Sequence, residues 1–238
     1  MDSGGLVRRT TTVVTAALAC LATGAAVTGC SDGTAADEPS AEQLLDDAND
    51  TMTALKSVTV DGKTTTVATG KGFTSRLTTD LKGACRSSRT WTNGARLEQI
   101  RIDETDYVRP NRAYLEMAGK DVTGTGEQQR WVKSPASETA EEDGLSDCTR
   151  EFSSFGEATK GDPTKVDGTP AIALVVTDKA DKGGTYTFYV ATEGKPYLLK
   201  VVYKGADYRS TTAFSAFDEP LDVRPPAATD VLDASGLS

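Results

Sequence analysis

The chain contains no histidine, and this absence excludes several kinds of active site. Without an imidazole there is no Ser-His-Asp or Cys-His catalytic group and no histidine ligand for zinc. Paired carboxylates of the kind that hydrolyse glycosides remain available, so a carboxylate-based hydrolase is one alternative. No motif in the sequence favours that alternative. We therefore predict that the protein is not an enzyme, and we expect neither a metal ion nor a cofactor.

Basic residues are also scarce. Lys and Arg total 26 against 35 Asp and Glu, which gives a formal net charge of −9. Residues 1–29 contain Arg8, Arg9 and Asp2, so the remainder has 24 basic and 34 acidic residues and a net charge of −10. Such a balance disfavours nucleic acid as a partner, and it also disfavours attachment to anionic lipid headgroups through charge. We expect no nucleic-acid partner.

Residues 1–29 have the layout of a secretory signal peptide. Two arginines precede an apolar stretch over residues 13–27. This stretch is too short and too rich in Thr and Ala for a typical transmembrane helix. Its end, Val27-Thr28-Gly29-Cys30, resembles a bacterial lipobox. The resemblance implies that Cys30 becomes the first mature residue and carries acyl chains such as palmitate. These chains would anchor the protein to the cell membrane on its extracytoplasmic side. Ordinary secretion with cleavage elsewhere is the alternative.

Few cysteines remain for disulfides. Of the four in the chain, Cys20 lies in the predicted signal peptide and Cys30 is the predicted lipidation site. Cys85 and Cys148 are left, and two such cysteines in an oxidising extracytoplasmic space usually pair. A redox or metal pair is the alternative, but the chain has no Cys-x-x-Cys motif and no histidine to complete a metal site. We predict a structural disulfide between Cys85 and Cys148.

The rest of the chain is predicted to hold a single domain. Residues 30–39 comprise the acylated cysteine and a small, polar, acidic tether that reaches about 30 Å when extended. Ser40 begins a helix, because Ser40 and Gln43 fit a capping box and apolar residues follow at helical spacing as far as Leu55. We assign residues 40–226 to the domain and residues 227–238, after a Pro-rich stretch, to a C-terminal tail.

Most of this domain is predicted to be β-sheet. From residue 57 the apolar period becomes two, which is typical of antiparallel strands with one buried and one wet face. Asn93-Gly94 is typical of a hairpin turn. Leu145, Cys148, Phe152 and Phe155 recur at helical spacing, which predicts a short helix with Cys148 on its buried face. The predicted strands cover residues 58–61, 72–82, 96–102, 105–109, 113–117, 131–132, 171–177, 185–191, 197–204 and 208–217.

This order of features resembles actinobacterial secreted lipoproteins of the LolA/LppX-like class. The resemblance covers roughly residues 41–226. It implies an α+β fold in which an antiparallel sheet is curved into a half-barrel, with helices across its concave face. In that class the space between sheet and helices can hold acyl chains, so the resemblance implies a lipid ligand. The segments that carry it are residues 57–60 (Ser-Val-Thr-Val), 131–133 (Trp-Val-Lys), 197–201 (Tyr-Leu-Leu-Lys-Val) and 220–226 (Pro-Leu-Asp-Val-Arg-Pro-Pro).

Two functions fit this fold. The first is to bind or carry a lipid or another apolar ligand in a half-barrel cleft. The second is to act as an accessory interaction module that modulates a membrane sensor or another envelope protein, which follows if the inward residues form a solid core. For the first function we predict a set of cleft-lining residues. They are Val58, Val60, Phe73, Leu77, Leu81, Trp131, Ile172, Leu174 and Val176.

Overall fold

The computed structural model describes residues 38–120, 130–138, 144–154, 156–178 and 183–233. The predicted signal peptide, Cys30 and the tether as far as residue 37 lie outside these ranges. Neither helix of the described chain is both long and apolar enough to cross a membrane.

Helix α1 (Ala41–Thr53) begins where the sequence predicts it. The Oγ of Ser40 accepts a hydrogen bond from the backbone N–H of Gln43 at 3.2 Å, and Oε1 of Gln43 accepts one from the backbone N–H of Ser40 at 2.7 Å. The predicted capping box is therefore confirmed. Leu45, Ala48 and Met52 recur on one side of α1 and are buried, so this side forms the apolar stripe of the helix.

The described residues contain twelve strands in one curved sheet. Its strand order is β12-β6-β5-β4-β3-β2-β1-β11-β10-β9-β8-β7, and every neighbouring pair is antiparallel except β12 with β6. The sheet does not close on itself, which confirms the predicted half-barrel. The strands are β1 (Val58–Thr66), β2 (Gly72–Thr79), β3 (Cys85–Trp91), β4 (Arg96–Ile102), β5 (Thr105–Pro110), β6 (Trp131–Pro135), β7 (Glu157–Val166), β8 (Thr169–Thr177), β9 (Thr185–Ala191), β10 (Leu198–Lys204), β11 (Tyr208–Ser215) and β12 (Val231–Asp233).

The register assigns each side chain to a face of the sheet. Val60 in β1 lies opposite Leu77 in β2 and opposite Phe214 in β11. Side chains that lie directly opposite each other on antiparallel strands project to the same face. We call the face that carries Val60 the inner face and the other face the outer face. We call the end at which β1 ends and β2 begins the upper end of the sheet.

The hydrophobic core lies between α1 and the inner face. The helix packs against β7, β9 and β10. Burying the apolar stripe of α1 against these strands contributes about 1.5–3 kcal/mol for each large side chain removed from water. The fully or nearly fully buried members of this core include Leu45, Met52, Val58, Val60, Leu77, Leu174, Val176, Val190, Leu198 and Phe214.

The segment over residues 144–154 lies across the lower half of the inner face. Cys148 is buried in a 3₁₀ turn (Ser146–Thr149) and is joined to Cys85 of β3 by a disulfide, with 5.5 Å between the Cα atoms. The side chain of Thr79 donates a hydrogen bond to the carbonyl of Cys148. The predicted disulfide is present in the structure. The predicted short helix is reduced to this one turn, which has no side-chain cap at its start. Phe155, the last residue of that prediction, lies outside the described residues.

Residues 113–117 form a helix and not the predicted strand. Helix α2 (Arg112–Met117) follows directly after β5. The side chain of Asn111 accepts a hydrogen bond from the backbone N–H of Tyr114 at 2.9 Å and so caps the helix. The alternation of apolar and polar residues over 113–117 suits both structures, and the asparagine cap decides between them.

Three strands that sequence periodicity does not indicate complete the sheet. β3 has only Cys85 and Trp91 as apolar residues, so it has no apolar alternation. β7 is an edge strand whose pairing with β8 is irregular between Lys160 and Pro163, and proline is tolerated at such a position. β12, in the predicted C-terminal tail, pairs in parallel with β6 through Val231 opposite Trp131.

The chain between β11 and β12 reaches across the sheet. At one end, the backbone N–H of Asp218 donates to the carbonyl of Ser57 at 3.0 Å, beside β1. At the other end β12 lies next to β6, which is five strands away from β1. β12 is therefore six strand spacings from β1, or about 29 Å, which the residues from 219 to 230 can easily span. The C-terminal segment thus ties the middle of the sheet to one edge.

Candidate ligand site on the inner face of the sheet

The predicted cleft-lining residues divide into two groups by position. Eight lie on the inner face or beside it, and Trp131 does not. Trp131 is adjacent to Val132, which lies opposite the inner-face residue Val108, so Trp131 projects to the outer face. There its ring is buried, with the guanidinium carbon of Arg109 at 4.6 Å from the ring centroid. The predicted strand at residues 131–132 is only two residues long, so it shows no alternation from which the face of Trp131 could be assigned.

Most of the inner-face group belongs to the packed core. These residues contact the α1 stripe and one another in a single cluster. Five are less than 7% exposed, namely Val58, Val60, Leu77, Leu174 and Val176. Phe73 is partly buried at the upper end, and Leu81 and Ile172 are partly buried hydrophobic residues packed against the cluster.

Burial decreases from the lower to the upper end of the inner face on the three central strands β2, β1 and β11. In β1, Val58 and Val60 are buried, whereas Gly62 and Thr64 are only half-buried. β2 shows the same change from Leu77 to Ser75. β11 repeats it from the buried Phe214 to the half-buried Thr212 and Ser210. We call Gly62, Thr64, Ser75, Ser210 and Thr212 the upper floor. Helix α1 and the 144–154 segment bury the lower residues of these strands but leave the upper floor partly exposed.

Small residues and hydroxyl groups make up the upper floor. Gly62 lies next to Ser75 on β2, so close that a methyl group at Gly62 would overlap the Ser75 hydroxyl. The four other floor residues each offer a hydroxyl that can donate and accept hydrogen bonds. The floor is therefore polar but uncharged, and it lies directly above the apolar core.

Aromatic side chains flank the upper floor on both sides. On the β3 side, the ring centroids of Phe73 and Trp91 are 6.0 Å apart, and Trp91 is 5.4 Å from Tyr114 of α2. On the β9 side, the ring centroid of Tyr203 lies 4.6 Å from that of Tyr186 and 4.7 Å from that of Tyr208. We call these the two aromatic walls. Across the six strands from β3 to β9 the surface is about 24 Å wide.

Arg89 lies on the inner face beside the floor. Its register partner on β2 is Ser75, and its guanidinium carbon is 4.8 Å from the Phe73 centroid and 5.8 Å from that of Trp91. Within the described ranges no carboxylate forms an ion pair with Arg89. The guanidinium also reaches the start of the 144–154 segment, since a Cβ at Gly144 would lie 3.6 Å from its Nη2. Stacking on a ring occupies the face of a guanidinium and not its N–H donors.

A second arginine on the same face has a structural role instead. Arg101 donates from Nε and Nη2 to the two carboxylate oxygens of Asp106, both at 2.7 Å, and Nη1 donates to the Leu145 carbonyl. The Asp106 side chain is fully buried. This pair ties β4 and β5 to the 144–154 segment. It lies in the lower half of the inner face and not beside the upper floor.

A separate cleft opens at the lower end, between the end of α1 and the 149–153 loop. It has a volume of about 480 Å³ and is open to solvent. Leu81, one of the predicted lining residues, contributes to its wall together with Arg150, Glu151 and Phe152. Charged and apolar groups alternate around it, so it offers no continuous apolar surface.

The described residues contain no cluster of three or more acidic, cysteine or histidine side chains that could hold a metal ion. Every buried side-chain nitrogen and oxygen in those ranges has a hydrogen-bond partner. The upper floor, the two aromatic walls and Arg89 therefore make up the candidate site. Sequence analysis identified only Phe73 among them, although the tyrosines of β9, β10 and β11 could have been found from their shared inward register.

Comparison with known proteins gives the fold. The sequence matches no family model and no curated protein. The structure is similar to LprF from Mycobacterium bovis, with a TM-score of 0.52 and 14% identity over 79% of this chain and 97% of that chain. It is also similar to the lipoprotein LppX from Mycobacterium tuberculosis, with a TM-score of 0.49 and 16% identity over 76% of this chain and 98% of that chain. In a Pseudomonas aeruginosa MucA/MucB complex, the matching chain gives a TM-score of 0.41 and 16% identity over 80% of this chain and 62% of that chain. The likeness to LprF confirms the LolA/LppX-like half-barrel that the sequence predicts, at the level of fold.

Proposed function

We propose that the protein is a lipid-anchored extracytoplasmic lipoprotein that binds an amphipathic lipid on the upper half of its inner face and performs no chemistry on it. The observation that carries this proposal is the decrease in burial along three adjacent central strands. The described residues leave the upper floor half-buried between two aromatic walls, while the lower half of the same three strands is a solid core.

The chemistry of the upper half suits a ligand with an apolar and a polar part. An acyl chain against the aromatic walls would gain about 0.8 kcal/mol for each methylene removed from water. The hydroxyls of the floor and the guanidinium of Arg89 would hydrogen-bond an ester, a sugar or a phosphate. Sites of this kind combine a mostly apolar lining with a few polar groups that fix orientation.

The ligand position differs from the one that apolar periodicity suggests. Leu77 and Leu174 are buried in the core cluster that also contains the α1 stripe, so enlarging either of them would damage the core before it affected a ligand. Substitutions on the upper floor are therefore the appropriate test. The anchor at Cys30 and the signal peptide belong to the same proposal and are supported by the lipobox alone.

The test uses two neighbouring threonines of β11 that face opposite ways. Thr212 lies opposite Gly62 on the inner face, whereas Thr211 lies opposite Lys63 on the outer face. We expect Thr212→Trp to weaken binding of tritiated palmitate in equilibrium dialysis by about tenfold or more, which is about 1.4 kcal/mol. Thr211→Trp, the matched control, should leave binding within about twofold of the wild type.

If neither variant changes palmitate binding, or if the wild type binds none, the proposal is wrong. The interaction module is then the better account, because a solid core with an exposed upper end would act through protein contacts. Equal loss of binding in both variants, with both unfolding in urea at the same concentration as the wild type, would also contradict the proposal, since binding would then not depend on which face is blocked.

A further inference from the structure

The upper end of the sheet carries a group of exposed residues, of which the proposed ligand site uses only Tyr208. It consists of two adjacent hairpins, the one between β1 and β2 and the one between β10 and β11. The backbone N–H of Val67 donates to the Asp207 carbonyl at 2.8 Å, and Thr66 lies opposite Tyr208. We call the following residues the upper rim: Val67, Lys71, Lys204, Asp207, Tyr208 and Arg209.

Two large apolar side chains are exposed on the upper rim. Val67 is 46% exposed and Tyr208 is 43% exposed, the highest and third highest values among the large apolar residues described as exposed. Single exposed apolar residues are common, but here two lie side by side on neighbouring hairpins. Tyrosine in particular is enriched where an aromatic ring lies between lipid and water.

The charge of the upper rim is opposite in sign to that of the whole chain. Lys71, Lys204 and Arg209 are exposed and face a single acidic residue, Asp207. Among the described residues none of these three cations forms a salt bridge. The net charge of the chain is −9, so the upper rim is more positive than the surface as a whole.

The turns at the lower end have the reverse balance. Asp103 and Glu104 form the β4–β5 turn, and Glu193 and Glu219 are exposed at the same end. Lys56, Lys82, Lys165 and Lys195 are also exposed at the lower end, but carboxylates outnumber them there. Cations are thus in excess at the upper rim, and carboxylates are in excess at the lower end. A negative surface would attract one end and repel the other.

We infer that the upper rim docks on an anionic lipid bilayer, with Val67 and Tyr208 at the headgroup level and the three cations against the lipid phosphates. Each cation close to an anionic membrane surface favours binding by about fivefold. Tyr208 also belongs to one aromatic wall, so docking would turn the open half of the inner face towards the membrane. The inference does not require that a ligand be bound there.

The experiment places a reporter at each end of the full-length protein. Both proteins carry Cys20→Ala and Cys30→Ala, so that the new cysteine is the one free thiol and no acyl chain inserts into the vesicle. A polarity-sensitive fluorophore is attached to Val67→Cys at the upper rim or to Glu193→Cys at the lower end, with the Cys85–Cys148 disulfide intact. Each protein is mixed with vesicles of phosphatidylcholine alone or of phosphatidylcholine with phosphatidylglycerol. We expect a blue shift only for the probe at residue 67 and only with phosphatidylglycerol.

Charge reversal then tests the cause of the shift. Lys71→Glu with Arg209→Glu should abolish it, whereas the control pair Lys82→Glu with Lys165→Glu, exposed at the lower end, should leave it unchanged. Raising the salt concentration of the wild type to about 1 M, where the Debye length is about 3 Å, should also abolish it without any further substitution.

Three results would overturn the inference: no shift at residue 67, an equal shift at both positions, or an equal shift with neutral vesicles. Any of these can occur while palmitate still binds the upper floor, so failure of docking and failure of the proposed function are distinguishable.

Discussion

At the scale of single residues, burial decides what a charged group does in this protein. Arg101 and Arg76 each form an ion pair with an aspartate across neighbouring strands. The Arg101–Asp106 pair has a fully buried carboxylate, whereas the Arg76–Asp61 pair has side chains that are 62% and 43% exposed. Arg89 has no carboxylate partner in the described ranges and rests on aromatic rings. We therefore expect only the first of these three arginines to be needed for stability.

This difference gives a paired prediction. Arg101→Met leaves the Asp106 carboxylate buried without its partner, so the free energy of unfolding should fall by about 3–5 kcal/mol. Arg76→Met removes an exposed pair and should cost less than about 1 kcal/mol. Urea denaturation of both variants measures the two changes, and equal losses would contradict the role assigned to the buried pair.

Cys30 is the residue on which the predicted location depends. In cells supplied with labelled palmitate, the wild type should become labelled and Cys30→Ala should not, because no other thiol occupies the lipobox position. Cys20→Ala, in the same N-terminal region, is the control and should be labelled as the wild type is. Label in the Cys30→Ala protein would show that acylation does not occur at this residue.

At the scale of elements, the sequence predicts those whose own residues determine them. The Ser40–Gln43 capping box fixes the start of α1, and the alternation of Val58 and Val60 fixes the face of β1. Elements defined by their surroundings were missed or misassigned. β3 is polar and is a strand because β2 and β4 pair with it on both sides. Residues 112–117 form α2 because Asn111 caps them.

The disulfide is the link between elements that can be tested most simply. It joins β3 to the 144–154 segment over a sequence separation of 63 residues. In the chain-entropy treatment a loop of that length stabilises the folded state by about 4 kcal/mol. We expect the double variant Cys85→Ser, Cys148→Ser to lose about that amount in thermal or urea unfolding.

The wild type treated with reductant under native conditions is the control for this variant. Mass spectrometry of the untreated protein should find the two cysteines in one cross-linked peptide. Two thiols that alkylate freely before reduction, or a change in unfolding free energy below about 1 kcal/mol, would contradict a structural disulfide.

At the scale of the whole molecule, composition and arrangement lead to different conclusions. The net negative charge disfavours attachment to anionic lipid by charge, yet the fold collects Lys71, Lys204 and Arg209 at one end. Likewise, apolar periodicity identifies inner-face residues such as Leu77 and Leu174, but it cannot tell which part of that face α1 covers. Coverage depends on contacts between distant segments, so the half-buried upper floor could be found only in the structure.

The central claim is that the upper half of the inner face holds a lipid. The most direct test is native mass spectrometry of full-length protein released intact from its own cell envelope, with organic extraction to identify the ligand. We predict a non-covalent adduct of one lipid on the wild type and on Thr211→Trp, and loss of most of that adduct in Thr212→Trp. Wild-type protein that carries no lipid adduct, or an adduct retained in full by Thr212→Trp, would contradict the account.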